Sequence, residues 1–91
     1  MKVVKFPFSY YFKEIYTNAK RIGSFEGGAI YKALKDNKHY LIIDEGTMAD
    51  FLDEDYQDLL DQLVKVIEFE TEEELYHYLG ERYGKYIILW K

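Results

Sequence analysis

The stretch Ala29-Ile30-Tyr31-Lys32-Ala33-Leu34-Lys35-Asp36-Asn37-Lys38-His39-Tyr40-Leu41-Ile42-Ile43-Asp44 decides the fold class. Two runs rich in β-branched and aromatic residues flank the pair Asp36-Asn37. Both residues of that pair tolerate positive φ, so the spacing predicts two antiparallel strands joined by a two-residue turn. Upstream, Gly27-Gly28 reads as a second turn. It leads back to residues 20–25, the weakest of the strands, because Ile22 and Phe25 stand three apart and do not alternate. A three-stranded antiparallel meander is the expected centre of the molecule.

Working outward, residues 48–63 place Met48, Leu52, Tyr56, Leu59, Leu60 and Leu63 on one stripe of a helical wheel, with Asp50, Glu54, Asp58 and Asp61 opposite. Phe51 and Asp55 do not fit this wheel, so the firm helix is expected over 54–63; Thr47 with Asp50 resembles a weak capping box before it. Residues 64–70 follow as a strand, with Val64 and Val66 facing one way and the alternation slipping near Ile67. Thr71-Glu72-Glu73-Glu74 is a full capping box, with acidic residues suited to a helix N-terminus. Leu75, Tyr78, Leu79 and Arg82 share the next helix's stripe, and Gly84 is placed to end it. Residues 86–90 read as an apolar last strand. At the other end, Ser9 followed by Phe12, Ile15, Tyr16 and Ala19 at helical spacing favours a short helix over 9–17, although Tyr10, Tyr11, Phe12, Ile15 and Tyr16 are also strand formers.

The expected order is (α)-β-β-β-α-β-α-β, an α+β two-layer sandwich on a mainly antiparallel sheet of about five strands. At 91 residues the chain is expected to form one small domain, 1–91. With 48% apolar and 19% aromatic residues, it has the material for a dense core. There is no cysteine, which excludes disulfides and thiolate zinc sites and fits a reducing cytosol. No apolar segment follows the N-terminal lysines as a signal peptide would require, and the longest apolar runs, 40–43 and 86–90, are far shorter than a membrane span. A soluble, cytoplasmic protein is the expectation.

The charge is sorted along the chain. Residues 1–43 hold eight Lys/Arg against three Asp/Glu, and residues 44–91 hold four against fourteen, within an overall net charge of −5. Such a field can steer and select partners. Asp50, Glu54, Asp58, Asp61, Glu72 and Glu73 are the candidate partner-binding residues, and a basic protein or a second copy of the chain is the candidate partner. A more specific alternative is a nucleic-acid mimic or an immunity protein. Carboxylates at positions 50, 54, 58 and 61 would recur every roughly 5–6 Å along a helix, like a row of phosphates.

Other chemistries lack their required pattern. Residues 53–58 are rich in oxygen ligands but have neither the glycine nor the spaced glutamate of a calcium loop. His77 stands four residues from Glu73 and from Glu81, and Glu74-x-x-His77 is half of a di-iron helix motif; the second half is absent, and the other histidine, His39, falls in a strand. Ser9 and Ser24 lack a nucleophile-elbow context, and Gly27-Gly28 lacks the rest of a phosphate loop. No cofactor or metal is expected, and a non-enzymatic role is favoured over an enzyme built around His77 or His39. Lys13, Lys20, Arg21, Lys32, Lys35 and Lys38 lie among aromatics that could stack on bases, but a sequence pI near 5.0 disfavours direct nucleic-acid binding. The ten tyrosines are more than a core this small hides with every hydroxyl satisfied, so some must serve the surface.

Overall fold

The computed structural model describes residues 1–25, 27–45 and 56–84. In chain order these form β1 (Lys2–Val4), α1 (Phe8–Tyr10), β2 (Ala19–Phe25), β3 (Gly28–Lys35), β4 (Lys38–Asp44), α2 (Tyr56–Leu63), β5 (Val64–Phe69) and α3 (Glu72–Tyr83). Between α1 and β2 the chain stays helical, first as a π-helical turn (Tyr11–Ile15) and then as a 3-10 turn (Tyr16–Asn18). The five strands make one antiparallel sheet in the order β1-β5-β4-β3-β2. The class is therefore α+β, as the sequence predicts. The strand expected over 86–90, the Thr47–Asp50 box and the start of the wheel at 48–53 lie outside the described residues.

The meander forms for the reasons the residues give. Asp36 and Asn37 hold φ of 52° and 64°, and the hairpin closes with Lys35 opposite Lys38. At the other turn Gly27 has φ of 91°, and the next residue has no room for a side chain: a Cβ on Gly28 would stand 2.6 Å from the Asp44 carbonyl oxygen. The poor alternation in β2 is a β-bulge. Pairing with β3 shifts register between Arg21 and Gly23, and the extra residue, Ile22, is buried.

β1 has no forerunner in the sequence reading. It has three residues, too few to show a period, and Val3 is half exposed. Only the partner strand reveals it: Lys2, Val3 and Val4 pair with Glu68, Ile67 and Val66 of β5.

Tyr40, Leu41, Ile42 and Ile43 of β4 are all buried, which means the sheet is covered on both faces. On one face Tyr40 and Ile42 join Tyr11, Ile15, Ala33, Leu60, Val64 and Val66. On the other, Leu41 and Ile43 join Ile22, Ile30, Ile67, Phe69, Leu75 and Leu79. The helix-on-sheet packing of a two-layer sandwich is thus made on each face, by the N-terminal helical segment with α2 and by α3. The slip in alternation near Ile67 has the same origin. Val64 and Val66 serve the first cluster and Ile67 and Phe69 the second, so hydrophobicity no longer reports direction.

The N-terminal helical segment buries Tyr11 and Ile15 and leaves Phe12 and Tyr16 substantially exposed. Ser9 does not cap it; Pro7 precedes the first helical residue. Gln57 of α2 takes over that task across the fold, accepting a hydrogen bond from the Phe8 backbone N–H at 2.6 Å and donating to the Phe6 carbonyl at 3.1 Å. In α3 Thr71 caps the helix as expected, the Glu74 N–H donating to Thr71 Oγ1 at 3.2 Å, and the Thr71 hydroxyl donates in turn to the Glu74 carboxylate at 3.3 Å. Gly84 follows the last helical residue but keeps right-handed dihedrals, φ −54° and ψ −32°, rather than the left-handed cap its position suggests. No helix among the described residues is long and apolar enough to cross a membrane.

Candidate partner-binding site

Folding cancels part of the charge separation seen along the chain. The fold brings lysines of β3 and β4 against carboxylates from the N-terminal helical segment, from the end of β5 and from the start of α3. Lys35 Nζ lies 2.8 Å from Glu14, and Lys38 Nζ lies 2.9 Å from Glu70. Lys32 Nζ donates to the Tyr76 hydroxyl at 2.6 Å, sits 5.0 Å from that ring's centre and stands 3.9 Å from Glu72. The hydrogen bonds from lysine hold the Glu14 and Glu70 carboxyls below the usual carboxylate range. The Tyr76 hydroxyl, followed by Glu72, raises the Lys32 ammonium. These contacts are solvent-exposed and therefore weak. Their consequence is subtractive: Glu14, Glu70 and Glu72 already face cations of their own chain.

Of the six candidate residues, the three whose side chains are described, Asp61, Glu72 and Glu73, do not share one face. Asp50 and Glu54 lie outside the described residues, and Asp58 falls within α2. Asp61, also on α2, is exposed and accepts a hydrogen bond from Gln57 Nε2 at 3.3 Å. Glu72 and Glu73 are exposed in the first turn of α3. α2 buries Leu60 in the cluster on one face of the sheet, while α3 buries Leu75 and Leu79 in the cluster on the other. Asp61 and the Glu72-Glu73 pair therefore belong to opposite sides of the molecule. A linear sequence cannot show this, because it depends on which face each helix covers.

A different grouping emerges around α3. Glu73, Glu74, His77 and Glu81 line an open depression of about 640 Å³ whose remaining lining is Met1, Phe69, Thr71 and Tyr78. Glu73, His77 and Glu81 recur every four residues, so they form a stripe about 12 Å long at 1.5 Å rise per residue. His77 Nε2 stands 3.1 Å from Glu81, with both side chains well exposed. Among the described residues no lysine or arginine forms an ion pair with Glu73, Glu74 or Glu81. The Arg82 guanidinium lies 5.6 Å from the centre of the Tyr78 ring. The floor is apolar: Phe69 is 2% exposed, and its ring lies 5.6 Å from that of Tyr78.

Such a basin suits a long cationic side chain, with the aliphatic stem on Phe69, Tyr78 and Met1 and the charged head among the carboxylates. The sequence shows the helical stripe of Glu73, His77 and Glu81. It does not show the floor, because Phe69 and Met1 arrive from β5 and from the end of β1. Among the described residues no group of three or more His, Cys, Asp or Glu is placed to hold a metal ion. His39 lines a separate depression of about 240 Å³ with Lys32, Leu34, Glu72 and Leu75, so the two histidines do not share one site.

The chain matches no protein-family model, no curated protein and no solved structure.

Proposed function

We propose that this chain is a non-catalytic protein-interaction module that docks a basic segment of another protein in the acidic basin of α3. The observation that carries the reading is the set of three carboxylates, Glu73, Glu74 and Glu81, without an ion-pairing lysine or arginine among the described residues, around the apolar floor of Phe69, Tyr78 and Met1. Magnitudes refine the partner. Exposed ion pairs are worth about 0–1 kcal/mol each, so three of them supply at most roughly 3 kcal/mol. Micromolar affinity needs about 8 kcal/mol. Charge therefore selects and steers the partner, and apolar contact with the floor supplies most of the affinity. The partner segment carries Lys or Arg next to aliphatic or aromatic side chains. The cysteine-free composition supports a cytoplasmic setting.

The test is titration with an oligo-arginine peptide bearing a single leucine, at low and at moderate salt. Wild type should bind, more weakly as salt rises. Glu73→Lys combined with Glu81→Lys should abolish binding, and Asp61→Lys should leave it intact. Equal binding by the two variants would refute the assignment of the site.

A further inference from the structure

The carboxylate stripe of α3 has an imidazole at its midpoint. His77 Nε2 stands 3.1 Å from Glu81, and Glu73 lies one turn before it on the helix. The His77 side chain is 76% exposed, so it is not there to fill the core. From α3 it shares the basin with Glu73, Glu74, Glu81 and the Tyr78 hydroxyl. From β5 and the turn after it come the Phe69 ring and the Thr71 hydroxyl, and ahead of β1 comes Met1 with its α-amino group. That amino group acts on Glu70, whose main cation is Lys38, and the Arg82 guanidinium lies over the Tyr78 ring. The acidic side chains that line the basin with His77 are thus the same three carboxylates that would receive a partner.

Imidazole is the side chain whose ordinary charge change falls between pH 5 and 8. Neutral, His77 can donate its Nε2 proton to Glu81 and leave the negative charge of the basin whole. Protonated, it makes the same contact but adds a positive charge where a partner's lysine or arginine must sit. We infer that protonation of His77 releases the basic partner, so that the basin is a dock gated by protons, open at neutral pH and closed in mild acid. The gate rests on the docking of a basic segment proposed above. Its sign follows from charge: the proton and the partner's cation use the same carboxylates, so each weakens the binding of the other. Its size follows from spacing. Side chains four residues apart on a helix stand about 5–6 Å apart. A unit charge at that separation from one partner cation, in a water-like dielectric, changes affinity roughly threefold; two such cations make it roughly tenfold. A fall in pH then frees the partner without any change of fold.

The experiment measures affinity for the leucine-bearing oligo-arginine peptide at about pH 8 and about pH 5.5, at one low salt concentration. The peptide is N-acetylated, so no group of its own titrates in that interval. Wild type should bind roughly three- to tenfold more weakly at the lower pH. His77→Gln should hold the wild-type affinity of the higher pH at both. His77→Lys, charged at both, should bind at about pH 8 as weakly as wild type does at about pH 5.5. His39, the Met1 amino group and every carboxylate are common to the three proteins, so the differences among them read His77 alone. A second readout follows the His77 ring protons by NMR: with peptide bound, the ring should need a lower pH to become half charged than it does without peptide. Equal pH dependence in wild type and His77→Gln, or a ring titration that the peptide does not displace, would overturn the gate and leave the dock standing. No binding by wild type at about pH 8 would overturn the docking reading itself, and the gate with it.

Discussion

Replacing Leu79 with alanine tests whether α3 is truly part of the core. Leu79 is 1% exposed and, with Leu75, is how α3 reaches Leu41, Ile43, Ile67 and Phe69 on its face of the sheet. The substitution removes three carbons, worth about 2.4 kcal/mol at ~0.8 kcal/mol per buried methylene. The space left behind adds to this, since one helix covering a sheet can collapse only partly, and Leu→Ala changes in cores cost roughly 2–5 kcal/mol. A domain of this length has a total stability of roughly 5–14 kcal/mol. The loss is therefore a large fraction of the whole. At about 4–8 °C per kcal/mol for domains of this size, a 3 kcal/mol loss lowers Tm by roughly 12–24 °C. The assay is thermal unfolding followed by far-UV circular dichroism, with Leu34→Ala as the control. Leu34 is 56% exposed on β3, and its truncation should stay within about 0.5 kcal/mol. If Leu79→Ala lowered Tm no more than Leu34→Ala, α3 would not be packed as described, and the basin on α3 would lose its floor.

Two further expectations follow from local geometry and burial. Asn37 holds φ of 64°, so Asn37→Val should cost about 1–2 kcal/mol in urea unfolding while Asn37→Gly stays near neutral. Burial, and after it the negative charge of Asp44, pushes the Tyr11 hydroxyl far above the ordinary tyrosine value. A raised native pKa means full stability below the unfolded value, about pH 10, and progressive loss as pH rises toward the native one. Unfolding measurements should therefore show stability falling above about pH 10, by up to about 1.4 kcal/mol per pH unit for this one group. Tyr11→Phe, which keeps the ring, should flatten that fall; an unchanged slope would remove Tyr11 as its source.

The parts of the fold legible in the sequence are those written in short-range chemistry. Asp36-Asn37 announces its hairpin, Thr71 and Glu74 announce a helix start, and the Leu59–Leu60 region announces a helix, because turns and caps are decided within four residues. The parts that were not legible depend on distant neighbours. β1 is three residues whose pairing belongs to β5. The helix start at Phe8 is capped by Gln57, forty-nine positions away. Ile67 breaks the alternation in sequence because both faces of the sheet are covered.

The candidate site divides in the same way. The stripe of Glu73, His77 and Glu81 follows from helical spacing alone. Its separation from Asp61, its apolar floor, and the neutralisation of Glu70 and Glu72 by Lys38 and Lys32 follow only from the sheet between the helices.

The most direct test of the central claim, that the α3 basin is where a basic partner docks, is a map of amide chemical-shift changes in the ¹⁵N-labelled chain on addition of the leucine-bearing oligo-arginine peptide. The shifts should concentrate at Glu73, Glu74, His77, Tyr78 and Glu81 and fade with added salt. Shifts centred on Asp61 and the rest of α2, or spread evenly over every exposed carboxylate, would contradict it.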